Sequence, residues 1–232
     1  MAVQFSILLM SQEYDAVISA LRGARPALHK NGIDIVTNAG GCNFITDKNY
    51  PHLGGNLDGG DLGTMGTNSV WPWLMSVFSP RTLLDAGCGE GHCVTWFRER
   101  GVVARGFDGL PYNVSQCKAK GLDVDVHDLT KGPYASAPVD VLWCSDVVEH
   151  VDEQFVPNII GTFQCATIVA LSHGTEEHVA QGWHHVNNKS EEYWIDLMEA
   201  NGYRHMPEYT QAARATCEFG WFKLYGKIFA RK

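Results

Sequence analysis

Three carboxylates each end an apolar run. Asp85 closes Thr82-Leu83-Leu84 and opens into Ala86-Gly87-Cys88-Gly89-Glu90-Gly91-His92. Asp108 closes Val102-Val103-Ala104-Arg105-Gly106-Phe107, and Asp128 closes the alternating stretch Leu122-Asp123-Val124-Asp125-Val126-His127. Short apolar runs bounded by turn residues read as buried strands. Glycines at 87, 89 and 91 allow a tight turn and let the backbone approach a ligand that a Cβ would hold away. Asp108 lies 23 positions beyond Asp85, at the end of a second strand, where an acid can accept both hydroxyls of a ribose. A second constellation is rich in imidazole. Four of the ten histidines fall between His173 and His185, and His150 follows a fourth apolar run that ends in Cys144-Ser145-Asp146. Histidine can take a hydroxyl proton near neutrality when it lies within hydrogen-bond reach.

These groups need a scaffold that gathers strand ends. The pattern predicts strand 82–85, helix 91–100, strand 102–107, helix 111–120, strand 122–127, strand 139–144, helix 153–164, strand 166–171, helix 190–201 and a strand near 203–207. The stretch from Trp221 to Arg231 alternates in part and reads as the last strand. Ser190 suits an N-cap, with Tyr193, Trp194, Leu197 and Met198 turned partly inward. Strand and helix alternate, which argues an α/β fold: a doubly wound parallel sheet with helices on both faces and right-handed crossovers. Open α/β sheets bind ligands at the carboxyl ends of their strands. Upstream, Trp71-Pro72-Trp73-Leu74-Met75-Ser76-Val77-Phe78 reads as a helix packed just before the first core strand. Residues 3–10 suit a strand or a helix start, Ser11 can cap a helix over 12–22, and 33–36 reads as a short strand. From 38 to 68 there are eight glycines in 31 residues. Phe44, Ile45, Tyr50, Leu53, Leu57, Leu62 and Met65 give that segment apolar surface to bury, so we expect a wrapped, structured loop.

The totals set bounds. A chain of 232 residues is most simply a single domain over 1–232, with 1–70 an N-terminal extension and Gly-rich loop covering the site and 71–232 the core. Net charge is −8, which argues against a non-specific grip on nucleic acid. Seven cysteines are scattered without a CxxC pair, which favours a reducing, cytoplasmic setting. Phe5 to Met10 is apolar but short, without a basic leader or cleavage site, so no signal peptide is expected. No run approaches a membrane span. A monomer or homodimer is expected.

The segment from Thr82 to His92 resembles motif I of the class I S-adenosylmethionine-dependent methyltransferases. Asp85 before the glycines separates it from dinucleotide enzymes. The resemblance implies a Rossmann-like sheet of seven strands with the last antiparallel, and S-adenosylmethionine as cofactor. It places the glycine loop under the methionine part and Asp128 at the adenine amino group, and the cofactor-binding set it implies is Asp85, Gly87, Cys88, Gly89, Asp108, Gly109, Asp128, Leu129 and Ser145. Val139 to Val151 resembles the fourth-strand motif of small-molecule methyltransferases that include ubiquinone-biosynthesis enzymes, where Glu149-His150-Val151 follows the strand. Nucleic-acid base aminomethylases would carry Pro-Pro and an aromatic at 145–148; here stand Ser-Asp-Val-Val. His184-His185-Val186-Asn187 before Glu192-Tyr193-Trp194 resembles a methyltransferase branch found beside glycosyltransferases in glycan-building systems. The likeness covers about residues 70–232.

The resulting expectation is an O-methyltransferase for a small polar acceptor, preferentially a sugar hydroxyl of a glycan or nucleotide-sugar. N-methylation of a small amine or protein side chain, and a non-catalytic methyltransferase fold used for binding, are the alternatives. The catalytic candidates are His150, His173, His184, His185 and Asp146, with His173 or His184 favoured as base and Asp146 as its orienting partner. The histidines admit three accounts: general base, structural brace, or a divalent metal held by His173, His184 or His185 with a carboxylate such as Asp146. Trp183 or Trp71 is a candidate to stack on a sugar ring. The Gly-rich loop and the helix over 71–78 are expected to exclude water.

Overall fold

The computed structural model describes residues 26–30, 33–37, 43–47, 49–56, 69–176, 183–217 and 220–232. The segments expected over 3–10 and 12–22 lie outside the described residues.

The large sheet has seven strands: β5 (Thr82–Ala86), β6 (Val103–Asp108), β7 (Val124–Val126), β8 (Val139–Cys144), β9 (Ala166–Leu171), β10 (Tyr203–His205) and β11 (Lys227–Arg231). Their spatial order is β10-β11-β9-β8-β5-β6-β7. β5 pairs in parallel with both β6 and β8, and β8 with β9, whereas β11 runs antiparallel to β9 and to β10. This is the Rossmann-like order expected. The chain moves outward from β5 to β7, then returns to β8 on the other side of β5, which makes the β5/β8 boundary the switch point where such sheets hold ligands.

The strands are nearly continuous apolar runs because both faces are covered. On one face Leu83, Val141, Trp143 and Ala170 pack with Val70, Trp71, Leu74, Phe97 and Phe222. On the other, Leu84, Leu142, Cys144 and Val169 pack with Ile159, Phe163, Trp194 and Met198. Consecutive residues of one strand therefore serve opposite cores, as the two-residue period of a strand requires.

The helices are α1 (Val70–Phe78), α2 (His92–Arg98), α3 (Pro111–Ala119), α4 (Val156–Phe163), α5 (Glu191–Ala200), α6 (Pro207–Ala215) and α7 (Trp221–Tyr225). Ser190 caps α5, its hydroxyl accepting from the Tyr193 N–H at 3.2 Å, while Glu191 and Glu192 complement the helix N-terminus. Pro111 opens α3, where its missing N–H costs nothing.

Three expectations need correction. Residues 221–231 are not one strand: Trp221–Tyr225 is helical and only Lys227–Arg231 joins the sheet. Trp221 stacks on Tyr225 one turn later, a contact available only to a helix. Helix α6 was not expected, because Tyr209, Thr210 and Ala213 make only a weak apolar stripe. Nor are the described parts of 38–68 a loop. β3 (Asn43–Asp47) and β4 (Tyr50–Asn56) form a hairpin that joins β1 (Pro26–Lys30) and β2 (Ile33–Thr37) in an antiparallel sheet ordered β1-β2-β3-β4. Gly54 and Gly55 sit inside β4, so composition pointed to a loop where cross-strand pairing makes a strand. Among the described residues no helix is long and apolar enough to cross a membrane.

Candidate active site

The turn after β5 is stitched to β6. The backbone N–H groups of Gly87 and Cys88 both donate to the Phe107 carbonyl at 2.9 Å. Gly87 takes φ +74°, the left-handed region, and a Cβ there would stand 2.3 Å from Val147 Cγ2. Cys88 turns its side chain fully inward, so only its backbone lines the loop. Contact with Cys117 and burial push its thiol far above the ordinary range, which makes it inert packing. Asp85 is buried below the turn.

Asp108 ties the same turn to β6. One carboxylate oxygen accepts from the Gly89 N–H at 2.8 Å. The other accepts from the Leu110 N–H at 2.8 Å and from Asn113 at 3.2 Å. Burial raises its pKa, and these donors oppose the rise. Asp128 caps a short 3₁₀ turn over Leu129–Lys131, accepting from the Thr130 N–H at 2.8 Å. Asp85, Asp108 and the residues after β7 thus stand at adjacent carboxyl ends, as the sequence pattern required. The arrangement could hold S-adenosylmethionine: a glycine turn for close backbone approach, and successive acids for its polar groups.

The hairpin reaches this row of strand ends. His52 bonds Asp128 at 2.9 Å. Leu53 lies against Gly109, where a Cβ would meet Leu53 Cδ2 at 2.6 Å. The Trp183 indole donates to the Pro51 carbonyl at 3.1 Å, and its ring lies 6.3 Å from that of Phe44. Gly54 leaves room for that indole.

Beyond β8 lies a second polar cluster. Asp146 takes φ +55°, a region that Asp visits more readily than most residues. Ser172 donates to Asp146 Oδ1 at 2.8 Å and accepts from the Asp146 N–H at 3.1 Å. Its single proton is therefore spent, so Ser145, 2.9 Å away, must donate to Ser172. Ser172 was missed in the sequence, where nothing distinguishes one serine at a strand end. Burial pushes the Asp146 carboxyl up to about 6. Glu149 is buried and raised well above the carboxylate range, by burial and by the Asp146 charge. His150 donates from Nδ1 to the Trp183 carbonyl at 2.5 Å, and its ring lies 4.7 Å from that of His185. Burial, then His185, hold it down at about 3, so it is neutral. His184 is half-buried with φ +53°, and burial followed by His52 lowers its pKa. Val186 and Asn187 dock this loop by donating to the Glu149 carbonyl at 2.9 and 3.0 Å.

Two candidates fall elsewhere. His173 is fully buried, its Nδ1 bonded to the Gly174 carbonyl at 3.0 Å and its Nε2 to Lys227 at 2.8 Å. A carbonyl can only accept, so Nδ1 carries the proton and Nε2 accepts from the ammonium. Both nitrogens are engaged, and the ring is not placed to take a substrate proton. The geometry therefore favours a structural His173 over the expected base. Trp71 is likewise core, fully buried among Trp96, Phe97 and Trp143, and α1 is packed on the sheet rather than over the mouth.

The His173–Lys227 pair sets a pH dependence. Burial and then Lys227 lower His173 from 6.5 to about 4, so an unfolded chain takes up the proton first as pH falls. Stability should drop between about pH 6.5 and 4, by roughly 3 kcal/mol in full. Denaturant melts should show the loss, and His173→Gln should flatten that part of the profile. Equal slopes in both proteins would refute the assignment.

Residues 84–160 match a family model described as a methyltransferase domain. Over those residues the chain carries a methyltransferase domain, on a fold shared with S-adenosylmethionine-dependent methyltransferases. No curated protein matches the chain. Several solved structures share the fold. Magnesium protoporphyrin IX methyltransferase from Synechocystis, solved with bound S-adenosylmethionine, has TM-score 0.53 and 18% identity, over 72% of this chain and 78% of its own. A S-adenosylmethionine-dependent methyltransferase from Archaeoglobus fulgidus has TM-score 0.51 and 18% identity, over 72% and 94%. The mitomycin 7-O-methyltransferase MmcR has TM-score 0.52 and 13% identity, over 72% and 54%.

Proposed function

We propose that the protein is an O-methyltransferase whose acceptor is a small polar molecule, with a sugar hydroxyl of a glycan or nucleotide-sugar as the preferred class. One observation carries the reading: the segment after β8 that holds Ser145, Asp146 and His150, with His185 against His150, packs on the glycine turn through Val147 on Gly87. The cofactor supplies a methyl group on positively charged sulfur. Asp85, Gly87, the Cys88 and Gly89 backbone, Asp108, Gly109, Asp128 and Leu129 would hold it. The acceptor then needs placement in line and a route for its proton. Asp146 is the group best placed for that proton, held in one orientation by Ser172, while His184 and His185 line the acceptor side.

On this reading the described β3–β4 hairpin of the N-terminal extension belongs with the core as one domain and covers the mouth. The His52–Asp128, Leu53–Gly109 and Trp183–Pro51 contacts support it. The neighbour MmcR is named for O-methylation, which is compatible chemistry on the same fold.

The test is a methyl-transfer screen over sugars, nucleotide-sugars, lipid head groups and amines, read by mass. Methylation of a hydroxyl acceptor is expected. Asp146→Asn should then lower kcat by about 10²–10⁴ while donor affinity stays near wild type. Methylation of amines alone would overturn the proposal, and wild-type turnover in Asp146→Asn would remove Asp146 as the proton acceptor.

A further inference from the structure

Glu149, His150 and His185 come from the turn after β8 and from the loop before α5, yet their ligand atoms all lie within 4.8 Å of one another. Glu149 is 2% exposed, and its Oε2 has no hydrogen-bond partner among the described residues. A buried carboxylate oxygen left unpaired is costly, and such an atom calls for an explanation. His150 donates its Nδ1 proton to the Trp183 carbonyl, which leaves the Nε2 lone pair as its remaining function. A backbone carbonyl on the far nitrogen is the usual outer support of a metal-bound imidazole, because it sets the tautomer and aims the ring. The loop that brings His185 is fastened to the same turn by Val186 and Asn187.

We infer that Glu149, His150 and His185 form a binding site for one divalent first-row transition ion. A carboxylate with two imidazoles is a donor set of intermediate hardness, suited to manganese, cobalt or zinc more than to calcium. Three protein ligands leave positions open. Resting on the function proposed above, those positions would take two neighbouring oxygens of the acceptor, so vicinal diols become the favoured acceptor class. This departs from the metal set expected in the sequence, which named His173, His184 or His185 with Asp146: Glu149 and His150 replace His173 and Asp146.

The test uses the full chain stripped with chelator. Mn²⁺ is titrated and read by loss of the free-ion paramagnetic signal, and Co²⁺ by its visible absorption. S-adenosylhomocysteine binding is measured by calorimetry on the same samples. Wild-type protein should bind one ion. Glu149→Gln and His185→Ala should each weaken it by at least about tenfold, with S-adenosylhomocysteine affinity within a few-fold of wild type. In chelator, Glu149→Gln should melt no lower than wild type, since it removes a buried carboxylate, but it should lose the melting increase that Mn²⁺ gives the wild type. S-adenosylhomocysteine binding without any ion uptake, or equal uptake by wild type and Glu149→Gln, would overturn the site. Ion uptake without S-adenosylhomocysteine binding would support the site and sink the methyltransferase reading beneath it.

Discussion

Gly87→Val should bind S-adenosylhomocysteine on the order of 10²-fold more weakly than wild type, or not at all. Two physical effects act together. A β-branched residue at φ +74° occupies a region that only glycine enters freely, at about 1–3 kcal/mol. The added side chain also meets Val147, already 2.3 Å from the position of a Cβ alone. The turn cannot yield cheaply, because the Gly87 and Cys88 N–H groups share the Phe107 carbonyl. Movement of Val147 would in turn disturb Asp146, its neighbour in the chain, so damage reaches the acceptor side as well. Calorimetry gives the affinity, and a thermal melt separates lost binding from lost folding. Donor bound at wild-type strength with the turn unmoved would show that this loop does not cradle the cofactor.

Asp108→Ala is the second large effect. Its carboxylate serves three donors in the protein, from Gly89, Leu110 and Asn113. Oδ1 already accepts twice, so the lone pair left on Oδ2 is the one free for a ribose hydroxyl. A hydrogen bond to a charged group contributes about 1.5–3 kcal/mol, so losing that ribose contact weakens donor binding by roughly 10–10²-fold. The glycine turn loses its anchor at the same time, which adds to the loss and lowers stability. Asp108→Asn keeps an acceptor at nearly the same place and should fall between wild type and alanine. Unchanged donor affinity in Asp108→Ala would mean that the ribose is not held at the end of β6.

The sequence by itself determined the parts whose cause is local. Apolar runs closed by acids become strands because a sheet covered on both faces needs apolar residues in succession. Residues 139–144 and 166–171 are strands with the predicted boundaries. A glycine turn between a buried run and an amphipathic stretch admits few conformations, so the β5 turn and the acids at 85 and 108 were legible without coordinates. The N-cap at Ser190 was legible for the same reason. Only the tertiary structure decided what depends on distant partners. Gly54 and Gly55 belong to a strand because β3 lies beside them. His173 and His185 look alike in the sequence. One is sealed against Lys227, 54 residues away, and the other comes beside His150. Glu149 passed unnoticed inside a familiar tripeptide until the fold buried it beside two imidazoles and a second carboxylate. Burial decides whether a titratable group is a brace, a base or a ligand, and burial is set by the packing of elements far apart in the chain.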